Sequence, residues 1–169
     1  MSPMHSYRRL VSLTSPTYVL VAFIARVPLA MAQIGTLLLV AAETGSYGAG
    51  GATAGALAVA NAVGAPIAGG LADRWGQRPV VLVQSLVGAA GLVALVLCAT
   101  SHAPLTTLLV VAALAGAALP QVGPLARVRW RPLTAGETQQ GRLVATAFSY
   151  EGAADEASFV LGPAVVGLL

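Results

Sequence analysis

Apolar residues in this chain gather into five long runs separated by short polar gaps. The runs cover residues 17–42, 50–71, 80–99, 105–125 and 143–169. A helix needs about 20 mostly apolar residues to cross the hydrocarbon layer of a bilayer, and each run has that length. None shows the period-two alternation of a barrel strand, and all are too long to be one. In hydrocarbon only helices and closed barrels satisfy their own backbone polar groups. The pattern therefore predicts an all-α membrane protein of five transmembrane helices, with those ranges as its spans.

Composition strengthens that reading. The 169 residues are 57 % hydrophobic and only 9 % charged, and the mean hydropathy is +0.81. A water-soluble domain is about a quarter charged. The 19 glycines suit helix contacts in a bilayer, where small residues let backbones approach; Gly51 and Gly55 form a GxxxG in the second run. The chain is basic, with a pI near 9.6, but its arginines are spread over separate gaps rather than one face, which argues against nucleic acid. Cys98 is the single cysteine, so there is no disulfide framework and no thiolate metal site. No nucleophile with a base, metal-ligand cluster or phosphate loop is present, so neither an enzyme nor a cofactor is expected.

The charges also set a topology. Arg8 and Arg9 precede the first run, Arg74 and Arg78 fall between the second and third, and Arg127, Arg129, Arg131 and Arg142 fall between the fourth and fifth. The other two gaps hold no arginine or lysine, only Glu43 and His102. That alternation is what the positive-inside rule produces for helices threaded back and forth, with the N-terminus in the cytoplasm of a multi-pass cell-membrane protein. Ala30-Met31-Ala32 has the look of a signal-peptide cleavage site, but apolar character continues past it and Arg26 interrupts the supposed hydrophobic region.

Between the second and third runs lies GGLADRWGQRP. It resembles the loop signature of the major facilitator superfamily at this place, G-x-L-a-D-r-x-G-r-k-x-x-l. Gly69, Leu71, Ala72, Asp73, Arg74, Gly76, Arg78 and Val81 are in register, and Gln77 replaces the first basic residue of the pair. The resemblance covers nearly all of the chain, as five of the family's usual twelve helices: an incomplete N-terminal six-helix bundle whose C-terminal half is missing. It implies a secondary transporter that works by alternating access, with this loop as a cytoplasmic latch between halves. Physically, Gly69 and Gly70 allow close packing, Gly76 permits the reversal, and Asp73 is placed to accept from Arg74, Arg78 or helix-start N–H groups.

Charges inside the spans are the candidate functional residues. Arg26 lies about 14 Å into the first helix, and Glu151 and Asp155 about 12 and 18 Å into the fifth. A lone charge at mid-bilayer costs several kcal/mol, which pairing relieves. Arg26 is therefore expected to pair with Glu151 or Asp155, which share a face at i, i+4. Glu156 points about 100° away, so a surplus carboxylate remains that could carry a proton. Gln33, seven residues after Arg26, is expected to line the same cavity. Asn61, Gln84 and Gln121 read as interhelical hydrogen bonds more than as ligands.

The fifth run ends SFVLGPAVVGLL, which partly resembles the family's antiporter motif G-x-x-x-G-P-x-x-G-G at Gly162, Pro163 and Gly167. Pro163 is expected to bend the helix and the glycines to admit another. In the fourth helix, Ala112 stands where efflux members often carry an arginine four residues before Gly116. Thr134 and Glu137 have capping-box spacing and are expected to open a short helix. Arg127, Arg129, Arg131 and Trp130 read as an interfacial anchor for lipid head groups.

The function expected is transport of a small molecule, with protons as the coupling ion and efflux as the leading mode. Sugar or metabolite uptake is the alternative mode, and a truncated or purely packing membrane protein is the alternative function. An epitope inserted after His102 is expected to face the outside and one after Gly76 the cytosol, which protease protection in sealed vesicles of known orientation checks.

Overall fold

The structure, a computed structural model, describes residues 3–168. Eight helices fill this range: α1 (Pro3–Thr14), α2 (Pro16–Ile24), α3 (Val27–Thr44), α4 (Tyr47–Trp75), α5 (Gln77–Thr100), α6 (Leu105–Ala117), α7 (Val122–Leu133) and α8 (Gln140–Val166). No strand occurs among the described residues. Four helical stretches are long and apolar enough to cross a membrane: Pro16–Thr44, Tyr47–Trp75, Gln77–Thr100 and Leu105–Leu133. This is the pattern of an all-α membrane protein. The expected fifth span corresponds to α8, a 27-residue helix that Glu151, Asp155 and Glu156 make too polar for that set; its expected end, Leu169, lies outside the described residues.

Two of the expected spans are not single helices, and proline explains both departures. Pro28 has no N–H, and its ring excludes the carbonyl four residues back from a continuous helix. The chain turns at Ala25–Arg26, and Pro28 falls in the first turn of α3, where a missing N–H costs nothing. The first run, 17–42, is thus α2 followed by α3. In the fourth run, Pro120 breaks the helix after Ala117, and the chain resumes as α7. The residues 126–142 expected as a polar loop are largely helical: α7 carries the arginines to Leu133, and α8 starts at Gln140.

Contacts divide the chain into two compact units: Met1–Pro28 with Val122–Gly162, and Leu29–Gln121 with Pro163–Leu169. The second is a bundle of α3 to α6 around Val40, Leu57, Leu95, Leu108 and Ala112. Glycines bring its backbones together. A Cβ on Gly64 would lie 2.5 Å from the Ala117 carbonyl oxygen, one on Gly91 2.8 Å from Ala115 Cβ, and one on Gly116 would collide with the Leu57 carbonyl. The glycines expected to pack from the sequence, Gly51 and Gly55 and likewise Gly69 and Gly70, have nothing within 4 Å of such a Cβ. Spacing located a small-residue helix but not the face it packs.

The α6 break is closed by side-chain amides. Gly116 O, which Pro120 cannot serve, accepts from Leu119 N at 3.2 Å in a tightened turn and from Asn61 Nδ2 at 3.2 Å. Leu119 O accepts from Gln84 Nε2 and Gln121 Nε2, both at 3.2 Å. Asn61 and Gln84 therefore do make interhelical bonds, and their acceptors are carbonyls at the end of a broken helix. Exposed backbone at membrane depth is tolerated where neighbours satisfy it in this way.

The first unit packs α1, α2, α7 and α8 around Trp130, Leu10, Leu143 and Ala147. Arg9 clasps Glu137 through Nη2 at 2.7 Å and Nε at 3.3 Å. The hydrogen bond and then the charge of Glu137 raise the guanidinium above its usual value. The expected capping box does not form: Thr134 Oγ1 donates back to Trp130 O at 2.8 Å, closing the end of α7, while Glu137 is held by Arg9.

Gly116→Ala is expected to cost about 2–3 kcal/mol through overpacking against backbone. Gly55→Ala, facing open space, is expected to be neutral or stabilising by up to about 1 kcal/mol. Detergent-denaturation curves followed by helical circular dichroism compare the two.

Candidate functional site

The residues that carry charge into the helices converge in the first unit, and the helix break sets up the convergence. Because α2 stops at Ile24, Arg26 N bonds to Phe23 O rather than Ala22 O. Arg26 Nη1 takes the vacated acceptor, donating to Ala22 O at 2.8 Å. The rest of the guanidinium reaches α8, where Glu151 and Asp155 stand one turn apart. Nη2 donates to Glu151 Oε2 in a close ion pair, and Nε donates to Asp155 Oδ1 at 2.9 Å. The expected choice between the two carboxylates is not made: one arginine bridges both.

Two residues of α7 complete the cluster. Trp130 Nε1 donates to Glu151 Oε1 at 2.7 Å, and Arg127 Nη2 pairs closely with Asp155 Oδ2. Each of the four carboxylate oxygens thus receives one donor, and two guanidiniums balance two carboxylates. Burial divides the members. The side chains of Arg26 and Glu151 are 3 % and 1 % exposed, whereas those of Asp155 and Arg127 are 24 % and 41 % exposed. Gly123, one turn before Arg127, gives Asp155 its room: a Cβ there would lie 3.0 Å from Asp155 Oδ1 and 3.7 Å from Arg26 Nε.

Sequence reasoning missed Arg127, Trp130 and Gly123 as members of this site. The anchor reading is corrected by the structure: Trp130 is buried, with its ring edge-on to Tyr18 at 6.4 Å, and Arg127 is paired inward. Arg129 and Arg131 remain exposed, Arg129 lying 5.6 Å over the Tyr18 ring. The available signal was the spacing Gly123, Arg127, Trp130 (i, i+4, i+7), a helical stripe hidden by treating three arginines as a loop. Arg127 gives Asp155 a second partner, so the surplus carboxylate that remains is Glu156.

The other candidates lie elsewhere. Glu156 is exposed and makes no ion pair among the described residues. Gln33 is exposed on α3 in the other unit; a seven-residue spacing marks a shared face only along one helix, and the chain breaks between it and Arg26. In the loop signature, Gly69, Asp73 and Arg74 belong to α4, Arg78 opens α5, and Gly76 alone links them at φ 88°. Asp73, Arg74 and Arg78 are exposed, and the expected pairing of Asp73 with either arginine is not made among the described residues. At the other end, α8 continues through Gly162 and Pro163 to Val166. The atoms nearest a Cβ on Gly167 are Pro163 O and Ala164 O of its own helix rather than another helix. No group of three His, Cys, Asp or Glu among the described residues could hold a metal ion.

What the fold and the site define is a class: a helical membrane protein with a charge-balanced cluster set among apolar helices. No family model, curated protein or solved structure matches the chain.

Removing one partner of a buried ion pair strands the other, at a cost of about 3–5 kcal/mol, whereas an exposed pair is worth about 1 kcal/mol or less. Arg26→Leu is therefore expected to destabilise by about 3–5 kcal/mol and Arg127→Gln by about 1 kcal/mol or less. Adding Glu151→Gln to Arg26→Leu is expected to recover part of the loss, because Gln keeps an acceptor for Trp130 without the charge. Unfolding curves of the three variants in micelles test the order.

Proposed function

We propose that this chain is the N-terminal portion of a secondary active transporter of the major facilitator type, moving a small molecule across the cell membrane by alternating access with protons as the coupling ion and efflux as the mode. In this reading α8 is the fifth span, and the N-terminus and the Gly76 turn face the cytoplasm. The observation that carries it is the Arg26–Glu151–Asp155–Arg127–Trp130 cluster, since ionisable groups among membrane helices are functional candidates by default. The loop signature around Asp73 supports it independently.

The cluster also supports a division of labour. Glu151 is buried and held by Arg26 and Trp130, which suits a fixed strut. Asp155 is a quarter exposed, and its second partner, Arg127, is itself partly in the open. Asp155 is thus the position where a proton, or a cationic group on a substrate, can compete with a guanidinium. Protonating it would release Arg127 and leave the Arg26–Glu151 pair standing. Such exchange on one face is what rocking two halves about a central site requires.

The alternative, a membrane protein that only packs, is favoured by one fact: every carboxylate oxygen in the cluster already has a donor. Infrared titration of the carboxylic-acid C=O band, on protein in lipid bilayers, separates the two. The transporter reading expects a titrating carboxyl that is lost in Asp155→Asn and kept in Glu156→Gln. A titration unchanged by Asp155→Asn removes Asp155 from proton coupling and favours the packing role.

A further inference from the structure

α1 and α2 meet at Ser15, and together with α8 they wall a groove of about 480 Å3 in the first unit. Its lining is apolar: Val11, Val19, Leu20, Phe23 and Ala153 face it. Tyr150 brings the one hydroxyl, which is already committed, donating to Val19 O at 3.3 Å. Nothing on the wall seeks a polar partner, so an occupant must present hydrocarbon there. The volume falls in the range of small-molecule pockets, about 300–1,000 Å3. Leu20 is more than half exposed, on a stretch long and apolar enough to cross a membrane.

A basic residue stands one turn along α1 from the groove-lining Val11. Arg8 precedes Val11 by three residues and so shares its face of α1. Arg8 is exposed and makes no ion pair among the described residues, whereas the neighbouring Arg9 is occupied by Glu137 and Arg129 by the Tyr18 ring. A guanidinium one helical turn from a hydrocarbon slot, with no ion pair among the described residues, is complementary to one chemistry, an anion tethered to an alkyl chain. The bilayer supplies that chemistry as anionic phospholipid.

We propose that the α1–α2–α8 groove holds an acyl chain of an anionic phospholipid whose phosphate pairs with Arg8. The inference needs only that these helices sit in a bilayer, so it stands or falls apart from transport and from proton exchange at Asp155. α1, lying before the first span, is then fastened to the membrane surface through the lipid it binds.

Native mass spectrometry of the full chain in micelles, titrated with phosphatidylglycerol or phosphatidylcholine of identical acyl chains, tests it. One arginine beside an anionic head group is worth about a fivefold preference. The wild type is expected to retain phosphatidylglycerol about fivefold over phosphatidylcholine, and Arg8→Gln to bring the two level. Ala153→Phe, which fills the groove at an exposed position, is expected to lower retention of both by tenfold or more with helical content unchanged. Leu20→Asn, which places an amide in the slot, is expected to do the same should the larger side chain perturb folding. Glycerol phosphate is expected not to displace the lipid. The proposal is overturned if Arg8→Gln keeps the preference, if both groove variants retain lipid as the wild type does, or if glycerol phosphate competes.

Discussion

A polar group inside hydrocarbon has no water to turn to, and this constraint organises the whole chain. Regular helices meet it by bonding each N–H to a carbonyl four residues back. Where the chain breaks a helix at α2 and at α6, other donors are supplied by the protein. At the α6 break Asn61, Gln84 and Gln121 supply them, and at the α2 break the guanidinium of Arg26 does. Such residues look out of place in an apolar run, yet each sits where a broken helix leaves a carbonyl to be met.

Charge obeys the same rule at higher stakes. A buried ion pair is weak evidence for stability, because desolvating two ions offsets much of their attraction; apolar replacements are often as stable. The cluster is therefore better understood as a device that fixes how α2, α7 and α8 meet than as a source of net stability. With one donor on each carboxylate oxygen, a shift of any helix by a residue would leave a charge unmatched. Gly123 shows how tight the fit is, since even a methyl group there would press on Asp155.

Much of this was legible in the sequence. Apolar run length located four stretches able to cross a membrane, and intramembrane charge singled out Arg26, Glu151 and Asp155, which the structure brings together. The shortfalls share one physical origin: hydropathy averages over a window, whereas a break or a contact is decided by single residues. Pro28 and Pro120 split runs that averaged as continuous. Arg127 and Trp130 sat where arginine density reads as loop, although their spacing keeps them on the inner face of α7. Packing glycines were assigned to Gly51 and Gly55 by motif, while the close approaches belong to Gly64, Gly91 and Gly116, because a GxxxG does not say which face meets a neighbour.

Arg26 joins the two halves of this picture. Its Nη1 closes the end of α2, its Nη2 meets Glu151, and its Nε meets Asp155. Three nitrogens of one planar fork serve three acceptors on two helices. A lysine, with one point of charge, could meet the carboxylates only by giving up the carbonyl. The break in the first apolar stretch and the charge cluster are thus one construction. The break lets the Arg26 side chain leave the helix and reach α8, and the side chain satisfies the backbone that the break exposes. Any change at Asp155 that shifts the guanidinium must act on Ala22 O as well, so the cluster and the end of α2 are mechanically linked through a single side chain.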